Sequence, residues 1–184
     1  TTLFRSWQAD TSSQRKFQGM GIGLALVKEL AEAQGGNVVC VGHTGDVTVG
    51  GNWQDEIDFN PPNNIDSVDG KGYLDNIFVA QYDFAGNQRW RFVLKSQGPY
   101  GISITDIETD AQGNITIGGN YASNFDLDPD PNKTVMTTMS GSGNSFIAKY
   151  DSNGKYLWSV LLKASGPFST SVKDLEVASH IGAQ

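Results

Sequence analysis

Gly45-Asp-Val-Thr-Val-Gly-Gly-Asn-Trp53 and Gly113-Asn-Ile-Thr-Ile-Gly-Gly-Asn-Tyr121 are two versions of one segment, set 68 residues apart. The same offset, with no gap opened, lays Phe78-Val-Ala-Gln-Tyr-Asp83 on Phe146-Ile-Ala-Lys-Tyr-Asp151. Gly86, Trp90, Leu94, Lys95, Gly98 and Pro99 fall on Gly154, Trp158, Leu162, Lys163, Gly166 and Pro167. Asp106 and Glu108 fall on Asp174 and Glu176. One offset held over about 65 positions marks a stacked or radial repeat architecture.

The complete copy divides into four strand candidates. Ile102–Thr109 is the first, and Asp110-Ala-Gln-Gly-Asn114 is a polar turn with Gly113 to supply positive φ. Ile115–Tyr121 follows, with Ile115 and Ile117 alternating against Thr116. In Ser145–Tyr150 the run Phe146-Ile-Ala is the continuous apolar pattern of a strand buried on both faces. Asp151-Ser-Asn-Gly154 closes a hairpin, and Tyr156–Leu162 returns as the fourth strand. Thr170–Val177 reads as the first strand of another copy. The turn Asp83-Phe-Ala-Gly86 repeats the hairpin chemistry along with the apolar pattern, so two levels of sequence agree. Between the second and third strands lies a polar excursion, Ala122–Gly143, matched by Gln54–Asp75, which reads as a surface loop.

Composition sets outer limits. Apolar residues make up 38% of the 184, including nine Phe, six Tyr and four Trp, enough for a packed core. The 22 Gly suit a turn-rich fold. A net charge of −7 offers no basic surface for a phosphate backbone, which argues against nucleic acid as partner. Cys40 is alone, so there is neither a disulfide framework nor a cysteine metal cluster. No apolar run reaches the roughly 18–20 residues that a membrane-spanning helix requires. The chain opens on Thr1 with no charged-then-apolar leader, which reads as a fragment or a trimmed front end.

The front of the chain lies outside the repeat. Gly21–Gln34 reads as an amphipathic helix, with Ile22, Ala25, Leu26 and Leu30 at helical spacing and Lys28, Glu29 and Glu32 opposite. Gly35-Gly36 is a helix stop, and the glycines ahead of the helix leave backbone amides free to face an anion. The string Leu3-Phe4, Trp7 through Leu30 and Gly35-Gly36 resembles the end of the ATP-binding domain of bacterial sensor histidine kinases. That resemblance implies that Gly19, Gly21 and Gly23 are lid glycines, that Arg15 and Lys16 lie near nucleotide phosphates, and that Phe4 and Trp7 form an aromatic box. ATP with magnesium would be the cofactor of an intact kinase of this kind. The family's asparagine-bearing helix, its Asp-x-Gly-x-Gly loop and its phosphorylatable His have no counterparts among these residues.

Four short strands per unit, many turns and a Trp near the last strand are the habit of a β-propeller blade. Gly113-Asn-Ile-Thr-Ile-Gly-Gly119, Phe125-Asp-Leu-Asp-Pro129, Ser145–Gly154 and Leu157-Trp-Ser159 resemble the bacterial β-propeller repeats (SBBP type) of secreted and surface proteins. The resemblance implies a propeller scaffold in an extracellular or periplasmic location, with no enzyme activity. A front segment belonging to a kinase would instead be cytoplasmic.

Asp126, Asp128 and Asp130 place three carboxylates on alternate residues, an oxygen set that suits calcium; the alternative is a proline-stiffened acidic turn. Asp106/Glu108 and Asp174/Glu176 put acids on the face of a strand that begins with Ile102 and Ile104, which predicts either a bulge or a strand end facing water. Their recurrence argues for structure, because a catalytic pair is needed once. Trp90 and Trp158 are expected to pack between units, with a carbohydrate-facing role as the alternative. His43 and His180 have no metal-spaced partners, and Gly141-Ser-Gly143 reads as a turn.

The expected fold is mainly β: an incomplete propeller-type repeat of two four-stranded, blade-like units, preceded by a short α segment. Residues 1–40 form the kinase-like segment and 41–101 a first unit lacking its first strand. Residues 102–184 hold the second unit and the first strand of a third. The expected role is a non-catalytic scaffold or binding module, needing no cofactor, that associates with further repeats or with itself through exposed unit faces. The second reading is a fragment of a sensor histidine kinase joined to a propeller sensor region. The third is an artificial junction near Val38–Thr44.

Overall fold

The computed structural model describes residues 38–43, 46–59, 66–70, 75–83, 85–138, 143–165 and 169–177. The helix expected over Gly21–Gln34 lies outside them. Among these residues ten strands occur in chain order: β1 Val38–His43, β2 Asp46–Trp53, β3 Glu56–Asp58, β4 Ser67–Asp69, β5 Asn76–Tyr82, β6 Gln88–Leu94, β7 Ile102–Thr109, β8 Ile115–Tyr121, β9 Asn144–Tyr150 and β10 Tyr156–Leu162. The described residues contain no helix, and so none long and apolar enough to cross a membrane. The protein is mainly β, and every pairing is antiparallel.

The strands form two four-stranded sheets, ordered β1-β2-β5-β6 and β7-β8-β9-β10, with β3 and β4 making a separate ribbon. The 68-residue offset carries β5 onto β9 and β6 onto β10 end to end, and β2 onto β8. Both last strands bulge at the same place. Arg89 is the extra residue where Gln81 and Tyr82 face Trp90 and Gln88, and Leu157 where Lys149 and Tyr150 face Trp158 and Tyr156. The three Asp-x-x-Gly turns are also alike. One oxygen of Asp83, Asp110 or Asp151 accepts backbone N–H groups two and four residues on, at 2.8–3.0 Å. Gly86, Gly113 and Gly154 close the turns at φ of 84°, 80° and 78°, where a Cβ would be strained.

Two expectations about strand boundaries are corrected. The first sheet does have a first strand, because β1 pairs with β2 from Val38↔Gly51 to His43↔Asp46. The repeat alignment hides it, since the residues of β1 do not resemble those of β7. Conversely, 169–177 joins no ladder among the described residues, although Val172 is buried. On β7 the change from apolar to acidic residues is a bulge, with Thr105 the unpaired residue between Ile104 and Asp106.

The core lies between the sheets. Ile77 and Val79 of β5 and Phe92 and Leu94 of β6 meet Ile115, Ile117 and Tyr121 of β8 and Phe146, Ala148 and Tyr150 of β9, with Ile102, Ile104 and Ile107 of β7 closing one side. Phe92 and Tyr150 are in ring contact across this seam, 4.6 Å between centroids. The opposite face of the first sheet holds Val47, Val49, Trp53, Phe59, Phe78 and Ala80. The excursions are not free surface loops. Phe125 and Leu127 are fully buried, and Tyr150 donates its hydroxyl to the Leu127 carbonyl at 2.9 Å. Tyr82 donates to the Phe59 carbonyl, at the matching position, at the same distance. A polar average over the excursion conceals two apolar residues whose burial outweighs the composition around them.

Candidate functional site

The contact between sheets is built from the most repetitive part of the sequence. In β2 and β8 the first glycine and the asparagine of each Gly-Gly-Asn triplet, two alternate positions on one face, lie against the chain segment that packs on that face. A Cβ on Gly50 would meet Ile104 Cδ1 at 2.8 Å, and one on Gly118 would meet Val172 Cγ1 at 2.9 Å. These two pairs are themselves 68 residues apart. Asn52 Oδ1 accepts the Ile104 N–H at 2.9 Å, and Asn120 Oδ1 accepts the Val172 N–H at 3.2 Å. β2 therefore receives strand β7, and β8 receives the segment 169–177, through a missing side chain and an amide oxygen. Sequence reading singled out the Gly-Gly-Asn motif but assigned no role to its asparagine. The recurrence of the triplet in both copies was the available signal.

The last strand makes the other half of the contact. Trp90 Nε1 donates to the Ser152 carbonyl at 3.0 Å, in the β9–β10 turn. The ring lies on Gly154, where a Cβ would meet it at 3.1 Å, and stacks on Phe92 with 6.0 Å between centroids. Packing between units, expected for both tryptophans, is seen for Trp90. Trp158, its counterpart on β10, is exposed, as are Val160 and Leu162 on the same row.

The predicted cation residues occupy a turn that uses their oxygens internally. Asp126 Oδ1 accepts the N–H of Asp128 at 3.0 Å and of Val135 at 2.8 Å. Asp128 Oδ1 accepts from Asp130, and Asp130 Oδ1 from Asn132, each at 3.0 Å. Lys133 pairs with Asp130 at 3.2 Å, and hydrogen bonds from Asn132 lead the interactions that lower the Asp130 pKa. Among the described residues no three His, Cys, Asp or Glu side chains are placed to share a metal ion.

The acid pairs of β7 and of 169–177 come together. Burial first, then the charges of Asp106, Asp174 and Glu176, push the Glu108 carboxyl up. Asp106 spends its oxygens on backbone, accepting the N–H groups of Ile107 at 2.9 Å and of Leu175 at 2.6 Å. These bonds turn and tether the chain. Asp110 has the opposite shift. Burial would raise its pKa, but Lys149 at 2.8 Å, the Asn114 side chain and two backbone amides outweigh it and hold the carboxyl at about 2.

An open depression of about 480 Å³ lies beside the β3–β4 ribbon, lined by Ser67, Asp69, Asn76, Lys95 and their neighbours. Lys95 Nζ donates to the Asp69 carbonyl at 2.7 Å, which fastens the ribbon to the end of β6. His43 lies in β1. His180 and the lid-like residues Arg15, Lys16, Gly19, Gly21 and Gly23 lie outside the described residues. Among known proteins, no family model matches this chain, and no curated protein shows significant similarity to it.

Proposed function

We propose that this chain is a non-catalytic scaffold of propeller type, exported from a bacterial cell, whose work is to hold successive four-stranded units in fixed relation as a binding platform. The observation that carries the reading is the recurrence of the same contact at the sequence offset, Asn52 to Ile104 and Asn120 to Val172, each behind a glycine that admits the neighbour. A scaffold needs such a joint in every unit, and a catalytic centre needs its residues once. The acids recur with the joint, and the oxygens of Asp106 and Asp174 accept backbone amides, which is the behaviour of structural groups.

Thermal and urea unfolding in the presence of Mg-ATP tests this reading. The scaffold predicts a midpoint that does not move. A ligand held a hundredfold above its dissociation constant adds about 2.7 kcal/mol to stability. A rise of that size would transfer the reading to the sensor-kinase fragment. The same rise with calcium alone would leave the scaffold standing and assign Asp126, Asp128 and Asp130 a cation.

A further inference from the structure

The exposed row on β10 is the counterpart of the covered row on β6, and the two differ in what lies against them. Phe92 is 6% and Leu94 2% exposed, whereas Trp158, Val160 and Leu162 are 45%, 47% and 40% exposed. The covering of the first row is known in detail: a β9–β10 turn whose Ser152 carbonyl takes the Trp90 indole, a left-handed Gly154 beneath the ring, and Tyr150 against Phe92. We propose that Trp158, Val160 and Leu162 seat a further four-stranded unit bearing a Tyr-Asp-x-x-Gly hairpin, whose turn carbonyl accepts the Trp158 indole N–H. The proposal rests on the scaffold reading and names its partner.

Two observations select this occupant over other apolar surfaces. The first is chemical. An indole edge demands an acceptor when it is covered, and the repeated Asp-x-x-Gly turn offers a backbone carbonyl beside a glycine, where a tryptophan ring can lie flat. The second is continuity with a joint already present. Residues 169–177 lie on the second sheet as β7 lies on the first, with Val172 over Gly118 and bonded to Asn120, and Leu175 held by Asp106. This segment is in the place of an opening strand and joins no ladder among the described residues. An incoming unit adds its second strand along it and brings its hairpin under Trp158, so backbone pairing and apolar burial act in one docking step.

The test extends the protein by its own unit. Residues 110–177 are appended in register after Val177, and the extended chain is compared with the original. Leu162→Ala is the reporter in both. In the extended chain its urea-midpoint shift should grow roughly threefold, to the size of the Leu94→Ala shift. Acrylamide quenching of Trp158, read as the difference from each Trp158→Phe variant, should fall by roughly the same factor. An added unit that folds, seen as increased β signal in circular dichroism, while both readouts stay unchanged overturns the proposal. So does an added unit that stays unfolded beside a folded chain. Concentration-dependent dimerisation of the original protein with Trp158 shielded would name a second copy as occupant and overturn it too. None of these readouts involves Mg-ATP, so failure here is separable from failure of the scaffold reading.

Discussion

Leu94 and Leu162 are the same residue at the same position of equivalent strands, and they differ in what covers them. Leu94→Ala removes three buried carbons, about 2.4 kcal/mol of transfer free energy at about 0.8 kcal/mol per methylene. The cavity left between two packed sheets raises the cost to about 3–4 kcal/mol, within the range for buried leucines. Leu162 has much of its side chain in water already, and water fills the space when it is cut back. Only about half the transfer contribution is lost there, roughly 1 kcal/mol, with no cavity. Urea unfolding followed by circular dichroism measures both, and equal slopes for the two variants show that the comparison is of stability alone. A Leu162→Ala variant as unstable as Leu94→Ala would refute the reasoning, because β10 would then be covered in solution. Equal, small losses at both sites would refute it from the other side, because the sheets would not be packed along Leu94.

Three further outcomes are expected. Asp110→Asn should cost about 2 kcal/mol at pH 7, since a folded pKa of about 2 lies below the ordinary 3.8, and the cost should vanish in acid. The sign follows from the depressed pKa: the stabilisation is complete above the unfolded value and is lost as pH falls from about 4 to about 2, which acid titrations of the two proteins will compare. Glu108→Gln should stabilise the protein at neutral pH, because the raised folded pKa marks a carboxylate that charges at a cost among Asp106, Asp174 and Glu176; the gain should disappear below the ordinary glutamate pKa of 4.5. Gly119→Ala should lose about 3 kcal/mol, since its Cβ would stand 2.0 Å from the Ser103 carbonyl oxygen, whereas Gly118→Ala pushes on the flexible tips of Val172 and Leu175 and should lose about 1 kcal/mol, read as midpoint differences.

Where two levels of pattern coincided, the sequence was legible to the residue. Ile102–Thr109, Ile115–Tyr121 and Tyr156–Leu162 were bounded by turn residues on one side and by loss of apolar periodicity on the other, and all three strands have those limits. Burial of β9 on both faces was overstated. Phe146, Ala148 and Tyr150 are buried, but Ile147 and Lys149 are only half covered, because a sequence run cannot report whether a neighbour lies beyond it. β5, with the second sheet against it, does show near-complete burial. β1 escaped notice because its match to β7 is one of position rather than of residue type. The joint residues Asn52 and Asn120 looked like ordinary strand-end polar groups, and only three-dimensional placement shows their side-chain oxygens turned to the backbone of β7 and of 169–177.

The seam described above joins unlike surfaces: the β5–β6 side of one sheet meets the β8–β9 side of the other. A two-fold axis cannot generate such a head-to-tail contact, so association through it has polarity. If further units dock as proposed, growth by this joint proceeds in one sense and ends only when the series closes on itself or a dissimilar terminal element stops it. Engineering that aims at a soluble, finite product should therefore place its polar substitutions on the exposed Trp158 and Val160 and leave the glycine–asparagine joint intact.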